Sequence, residues 1–135
     1  MWKIQPVWAD GRRLQGWTRP EGIFTSPQFG PLFETLVFAE LYKTNLYNQL
    51  NWSIYHWRTR DGEEVDFLID QGNGEFFFVE AKVATQDPPD LKTYPEVRKV
   101  FKSQIPPIWL CHMQGERVLG QRVPLALLRS NLLNR

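Results

Sequence analysis

The stretch from residue 62 to residue 82 constrains the fold more than any other part of the chain. It contains two strand-like runs, 62–70 and 75–82, separated by the sequence Gln-Gly-Asn-Gly at 71–74. Glycine and asparagine are the residues that tight turns require, and apolar runs on either side of them predict a β-hairpin. We therefore expect an antiparallel pair of strands near the middle of the chain.

Charged residues occupy regular positions along these two predicted strands. Because successive side chains of a strand point to opposite faces, Glu80 and Lys82 share one face of the second strand. On the first strand the same alternation predicts two faces: Val65, Phe67 and Ile69 on one, and Glu64, Asp66 and Leu68 on the other. If the strands pair with their carboxylates on one face, Asp66, Glu80 and Lys82 converge. Such a cluster is a candidate metal site.

Length and composition indicate a single globular domain. A chain of 135 residues is long enough to bury a moderate core, and 42% of its residues are hydrophobic. No apolar run reaches the roughly 20 residues of a membrane span, and no signal-peptide pattern opens the chain. Cys111 is the one cysteine, which excludes a disulfide within the chain. We therefore expect a cytoplasmic protein that does not enter a membrane.

The net charge of +1 conceals a strong internal division. Residues 61–90 carry nine acidic side chains and one basic side chain, a net charge of −8, whereas residues 1–60 carry +3 and residues 91–135 carry +6. An acidic cluster between basic flanks suits a site that collects divalent cations and then meets a polyanion. Solvated loops that happen to be charged explain the counts equally well.

A helix is predicted from Pro31 to about Tyr47, because apolar residues recur there at spacings of three and four. A proline is well tolerated in the first turn of a helix. Glu34 and Glu40 both fall inside the broad apolar arc of this helix, where an unpaired carboxylate is costly to bury. Each is therefore either part of a site or a partly exposed, salt-bridged residue at the flank of the helix.

The remaining segments alternate between strand-like and helix-like patterns. We expect an irregular N-terminal segment at 1–29, and then a strand at 51–60, a helix at 94–103, strands at 107–113 and 117–123, and a helix at 124–133. Arg58 and Arg60 lie on the first of these strands. Their forked donors suit contacts with the phosphates of a nucleic acid, and an ion pair with the adjacent acidic cluster is equally compatible.

The order helix, three strands, helix, strand resembles the PD-(D/E)XK nuclease-like superfamily. Its signature is an aspartate on one strand and Glu-x-Lys on the next, which here are Asp66 and the Glu-Ala-Lys at 80–82. Its first helix often supplies a further glutamate, and the run Gly-Pro-Leu-Phe-Glu selects Glu34. The resemblance implies an α/β fold of the restriction-endonuclease-like type over residues 30–135, with a mixed sheet flanked by helices.

Three runs carry a closer resemblance: 30–41, 57–67 and 80–82. Together they are similar to the domain of unknown function that follows AAA-type ATPase modules in many bacterial and archaeal proteins, and the likeness covers about residues 28–135. This sequence has no Gly-x-x-x-x-Gly-Lys phosphate loop, so the chain is not itself an NTPase. The resemblance implies an ATPase module as a partner.

The superfamily resemblance further implies a DNA nuclease with Mg²⁺ or Mn²⁺ as its cofactor. Such hard cations take oxygen ligands, which Asp66 and Glu80 would supply directly and Glu34 through a water molecule. Lys82 would stabilise the charge that develops on the phosphate. Two further carboxylates are candidates for the same site: Glu40 and Glu64. The alternative is a catalytically inactive module that uses the nuclease fold to bind DNA or a protein partner.

Overall fold

The computed structural model describes residues 2–6 and 29–134, and of residues 2–6 the backbone alone. The described residues form six strands: β1 (Trp2–Pro6), β2 (Ser53–Thr59), β3 (Glu64–Asp70), β4 (Phe76–Ala81), β5 (Ile108–His112) and β6 (Arg122–Pro124). They also form three α-helices: α1 (Phe29–Tyr47), α2 (Pro95–Phe101) and α3 (Leu128–Leu133). Among these helices none combines the length and the apolar character that a bilayer span requires.

The six strands belong to one mixed sheet, in which their spatial order follows their order along the chain. Each of β1, β2 and β3 is antiparallel to the next strand, whereas β4–β5 and β5–β6 are parallel pairs. A parallel pair requires a crossover connection, and α2 lies in the connection from β4 to β5. The predicted hairpin is the pair β3–β4, whose turn is closed by a hydrogen bond from Gln71 N to the Glu75 carbonyl at 2.9 Å. The expectation of an α/β fold with a mixed sheet is therefore confirmed.

Two hydrophobic cores cover the two faces of this sheet. The first core joins α1 and α3 to the sheet: Phe33, Val37, Leu41, Phe67, Ile69, Phe77, Val79, Cys111, Val123, Leu128 and Leu132. The second core joins α2 to the sheet: Trp57, Val65, Leu68, Phe78, Leu91, Val97 and Ile108. Neighbouring residues of β3 and β4, such as Phe77 and Phe78, belong to different cores because their side chains point to opposite faces. The sheet is thus the middle layer, with α1 and α3 on one side and α2 on the other.

One strand departs from the predicted alternation. Val65 was expected to share a face with Phe67, but Val65 packs in the second core and Phe67 in the first. Tyr55 of β2 pairs with Leu68 of β3, and Trp57 pairs with Val65, so β3 has one residue more than β2 between these two pairs. An extra residue of this kind is a β-bulge, which reverses the facing of the side chains beyond it and re-aims those within it. Asp66 lies inside the bulged stretch.

The chain after β5 contains less strand than its sequence suggests. A strand was predicted over 117–123, but β6 begins only at Arg122, so the prediction was wrong for 117–121. Gly115 and Gly120 have φ angles of 147° and 62°, which glycine adopts readily, and the chain turns at both positions. Leu119 instead forms an isolated bridge with Arg122.

The predicted N-terminal segment, 1–29, is described only in part. Trp2–Pro6 is the edge strand β1 and pairs with β2, and Phe29 begins α1. Residues 7–28 lie outside the described part of the chain.

Candidate metal centre

The candidate centre lies where β3 and β4 stop pairing through their backbones. Their ladder of paired residues ends at Phe67 and Val79. Beyond that point the side chains take over: Asp66 N donates to Glu80 Oε1 at 3.2 Å, and Ala81 N donates to Asp66 Oδ2 at 2.8 Å. The two carboxylates therefore bridge the strands reciprocally, each accepting from the backbone of the opposite strand. The bulge in β3 places Asp66 at this junction.

The electrostatics of this junction are unfavourable to two negative charges. The Glu80 side chain is buried, and its residue is only 8% exposed. Burial, followed by hydrogen bonding to Asp66 and the negative charge of Asp66, raises the pKa of Glu80 to about 9, while the charge of Lys82 acts in the opposite direction. At neutral pH Glu80 therefore retains a proton next to Asp66. A bound cation would supply the positive charge that this proton now provides.

Lys82 is the third residue that the sequence predicts at the centre. Its side chain is exposed, and its positive charge is felt by the Glu80 carboxyl group two residues earlier. Its backbone N–H donates to the Cys111 carbonyl at 2.9 Å, which holds the end of β4 against β5. Asp66 and Glu80 thus meet between the two strands, although alternation alone did not predict how Asp66 reaches Glu80, and the convergence of Lys82 with them stays a prediction.

The carboxylates predicted on α1 are placed differently. Glu40 forms an ion pair with Lys43 at 2.6 Å, and its charge adds to burial in raising the pKa of the Cys111 thiol in the first core to about 12. Glu34 is half-buried on the same helix. Over residues 2–6 and 29–134 no three His, Cys, Asp or Glu side chains are grouped closely enough to hold a metal ion. Neither glutamate therefore completes a three-ligand cluster with the Asp66–Glu80 pair.

The remaining predicted residues lie at the surface of β2 and β3. Arg58 Nε and Glu64 Oε1 are 3.6 Å apart, and both side chains are exposed. This ion pair is one of the two alternatives that the sequence left open for Arg58. Arg60 is also exposed, next to the turn that joins the two strands.

Two residues that hold the neighbouring structure were not among the predicted site residues. His56 is buried, and its Nδ1 lies 2.8 Å from the Asp66 carbonyl oxygen, so the ring donates this hydrogen bond because a carbonyl can only accept. The imidazole ring also stacks on Phe67. His56 thereby fixes the bulged backbone on which Asp66 is mounted. The sequence offered a histidine among aromatic residues but no signal for this contact.

Glu63 is the second such residue. Its carboxylate accepts from the Trp57 indole Nε1 at 2.9 Å and from the backbone N–H groups of Glu96 and Val97 at 3.1 and 3.2 Å. The last two donors lie in the first turn of α2, where backbone N–H groups lack partners within the helix. Thr59 Oγ1 accepts from Glu63 N at 2.9 Å and fixes the turn that presents this side chain. Glu63 therefore caps a helix that begins 32 residues later in the chain.

Comparison with known protein families supports the general part of the second resemblance, a domain of unknown function, whereas the nuclease superfamily and the ATPase association stay predictions. The model of the family described as "Domain of unknown function (DUF4143)" matches residues 29–127, most of the chain. The chain belongs to the DUF4143 family. No curated protein and no solved structure is significantly similar to it. All of the predicted site residues of this DUF4143 domain fall within the matched region.

The DUF4143 domain has a cavity of about 520 Å³ whose lining does not include Asp66, Glu80 or Lys82. It lies between the β2–β3 turn and the start of α2, and its walls include Asp61, Glu63 and Tyr94. Burial, then the charge of Glu80, then the charge of Glu63 raise the pKa of the Tyr94 phenol. The charges of Glu80 and Glu63 therefore both act on Tyr94, which forms part of the cavity wall.

Proposed function

We propose that this DUF4143 domain is a metal-dependent nuclease-like domain that hydrolyses phosphodiester bonds of DNA. The observation that carries the proposal is the reciprocal pairing of Asp66 and Glu80, in which the pKa of the buried Glu80 is raised to about 9. The element order α1, β2, β3, β4, α2, β5 supports a restriction-endonuclease-like fold for the same region. The proposal uses the two strand carboxylates and does not depend on Glu34.

The side chains present fit a hard divalent cation. Mg²⁺ and Mn²⁺ prefer oxygen ligands. Asp66 and Glu80 offer carboxylate oxygens on two strands, and the Ala81 carbonyl oxygen is an additional candidate ligand. Two carboxylates this close repel each other when both are ionised, and a bound cation removes that repulsion, so that Glu80 no longer needs its proton. When bound, such a cation acidifies water and polarises the phosphoryl group.

The protein's own residues have separate roles in this proposal. Asp66 and Glu80 hold the cation, and the His56 hydrogen bond to the Asp66 carbonyl keeps the bulged strand in position. Lys82 presents an exposed ammonium group next to the pair, where it stabilises negative charge on a phosphate oxygen.

Charge at the surface supports DNA as the substrate. Residues 91–135 carry eight basic and two acidic side chains, and Arg58 and Arg60 are exposed at the end of β2 and just after it. Lysine and arginine side chains bind the phosphate backbone without regard to sequence, and this binding weakens as salt increases. We therefore expect DNA binding of the wild-type domain to weaken steeply between 50 and 200 mM salt.

The test is cleavage of supercoiled plasmid DNA in the presence of Mn²⁺. We expect Asp66→Asn and Glu80→Gln each to slow nicking by about 100-fold or more, because both changes remove a ligand charge from the centre. Glu75→Gln is the matched control: Glu75 is exposed in the hairpin turn and far from the centre along β4. Equal rates for the wild type and Asp66→Asn, or no metal-dependent nicking by any variant, would reject the nuclease assignment.

A second candidate function is a catalytically inactive module on the same fold. The observation that favours it is that two carboxylates, and not three, converge among the described residues. Such a module would bind DNA or a protein partner, and the sequence resemblance suggests an AAA-type ATPase module as that partner. It predicts DNA binding with the same affinity for the wild type and Asp66→Asn and no cleavage by either. Plasmid binding measured alongside nicking separates the two functions.

A further inference from the structure

His112 is the last residue of β5, and the register of the parallel pair β4–β5 places it beside the end of β4. In that register Ala81 pairs with Cys111. The next backbone hydrogen bond runs from Lys82 N to the Cys111 carbonyl at 2.9 Å, as it does in a parallel pair that continues by one residue. His112 therefore lies across from Lys82, at the end of the sheet that carries Glu80.

The imidazole of His112 points to the same face of the sheet as the side chain of Glu80. Cys111 packs in the first core, whereas Ile108 packs in the second core beside α2. Because side chains alternate along a strand, every second residue from Ile108, and so His112, faces the α2 side. Glu80 faces this side as well, since it lies two residues after Phe78, another member of the second core.

The ring of His112 is closely packed by the chain that follows β5. The residue is only 6% exposed, and it pairs with Pro124 of β6. A Cβ atom at Gly115 would lie 3.1 Å from His112 Cε1 and 3.0 Å from Pro124 Cγ, so the turn at Gly115 closes over one edge of the ring. A ring packed in this way is held in position before a ligand arrives, which a residue that orients a ligand requires.

The surroundings of the two ring nitrogens of His112 indicate which one carries the proton. Nδ1 is enclosed and has no hydrogen-bond partner, whereas Nε2 is not enclosed in this way. An enclosed N–H group without an acceptor is costly, and a buried acceptor without a donor is tolerated better. The imidazole therefore carries its proton on Nε2 and is a hydrogen-bond donor at that atom.

This geometry supports a contact with an anion for His112 and not a place in the metal centre. Over residues 2–6 and 29–134 no three His, Cys, Asp or Glu side chains are grouped closely enough to hold a metal ion, so His112 does not join Asp66 and Glu80 as a third ligand. The lone pair that a metal would need is on the enclosed Nδ1. The neighbouring Lys82 is exposed and attracts anions to this end of the sheet. A phosphate oxygen is both anionic and an acceptor for Nε2–H.

We propose that His112 is a substrate-binding residue whose Nε2–H donates a hydrogen bond to a non-bridging phosphate oxygen of DNA held beside Lys82; the identity of the substrate rests on the proposed function. The imidazole and the Lys82 ammonium group then contact the same phosphate from neighbouring strands. A hydrogen bond to a charged acceptor is stronger than one between neutral groups, so its loss should weaken substrate binding measurably. This assigns a role in the proposed reaction to β5, a strand that supplies neither carboxylate.

The first test follows the imidazole nitrogens of the wild-type full chain by NMR, with ¹⁵N-labelled histidine and a short DNA duplex in EDTA. The chain has two histidines, and the His112 resonances are those lost in His112→Gln. Before DNA is added, the proton of His112 should reside on Nε2. DNA should shift the Nε2 resonance of His112 saturably, and it should leave that of His56 nearly unchanged because His56 Nε2 is enclosed.

The second test compares nicking of plasmid DNA in Mn²⁺ by two variants at position 112. His112→Gln keeps a side-chain N–H donor, whereas His112→Leu removes it. We expect His112→Leu to lower kcat/KM for nicking by about tenfold and His112→Gln to stay within about threefold of the wild type. Thermal unfolding of both variants checks that they are folded at the temperature of the assay.

Three results would overturn the proposal: a His112 proton that resides on Nδ1, a His112 Nε2 resonance that no concentration of DNA shifts, and nicking by His112→Leu as fast as by the wild type. A saturable shift of Nε2 without metal-dependent nicking by the wild type would reject the nuclease assignment and still support the contact between His112 and phosphate. The NMR measurement on the wild type remains decisive even if a variant does not fold.

Discussion

Replacing Glu63 with alanine should destabilise the domain strongly, although Glu63 lies at a surface turn next to several other acidic residues. Its carboxylate serves three donors: the indole of the fully buried Trp57 and two backbone N–H groups in the first turn of α2. Loss of a helix cap costs about 1 kcal/mol. Loss of the acceptor of a buried donor costs about 1–3 kcal/mol. We therefore expect Glu63→Ala to lower the free energy of unfolding by about 2–4 kcal/mol.

This change in stability is large enough to measure by thermal unfolding. The entropy of unfolding is about 2.1 cal/mol/K per residue, so for 135 residues each kcal/mol lowers Tm by about 3.5 °C. Glu63→Ala should lower Tm by about 7–14 °C in circular dichroism or calorimetry. Glu64→Ala is the matched control, because the neighbouring Glu64 is exposed and forms a surface ion pair with Arg58 at 3.6 Å. Its effect should be within about 0.5 kcal/mol. Similar Tm changes for the two variants would refute the assignment of Glu63 as a cap.

Three further predictions concern Glu80, Asn45 and Gly115. Between about pH 4.5 and pH 9 the native state keeps a proton on Glu80 that the unfolded chain has lost. The free energy of unfolding, measured in EDTA, should therefore fall as pH rises through this window, by at most about 1.4 kcal/mol per pH unit. Glu80→Gln should flatten that slope in urea titrations, and an unchanged slope would contradict this prediction. Asn45→Ala removes both hydrogen bonds that join α1 to the Trp52 backbone, at 2.8 and 2.9 Å. It should lower the free energy of unfolding by about 1–3 kcal/mol. A Tm within about 1 °C of wild type would rule this out. Gly115→Ala should lower Tm, because φ is 147° and a Cβ atom there would lie 3.0 Å from Pro124 Cγ; a raised Tm would contradict it.

Much of the fold could be predicted because its signals are local. The Gln-Gly-Asn-Gly run at 71–74 identifies the β3–β4 hairpin, and the apolar spacing after Gly30 predicts α1 to its last residue, Tyr47. The helix expected at 94–103 is α2 at Pro95–Phe101. In each case a turn or a proline close in sequence sets the boundary. The confirmed family match over residues 29–127 covers the same elements.

The parts of the centre that could not be predicted depend on contacts between distant segments. The bulge that re-aims Asp66 arises from the pairing of β3 with β2, and nothing in the run Glu-Val-Asp-Phe distinguishes a bulged strand from a regular one. Glu63 caps a helix that begins far along the chain, so no capping motif surrounds it. Glu34 and Glu40 could not be separated by helix periodicity, which places residues on an arc but does not show what the arc packs against.

Calorimetric titration with Mn²⁺ at pH 7.5 shows whether the Asp66–Glu80 pair exchanges a proton for a divalent cation. Titrations in two buffers of different ionisation enthalpy measure the protons released on binding. Because the pKa of Glu80 is about 9, the wild type should release close to one proton for each ion bound. Asp66→Asn should bind Mn²⁺ at least tenfold more weakly, whereas Glu75→Gln should match the wild type. Absence of binding by the wild type, or binding without proton release, would contradict the account.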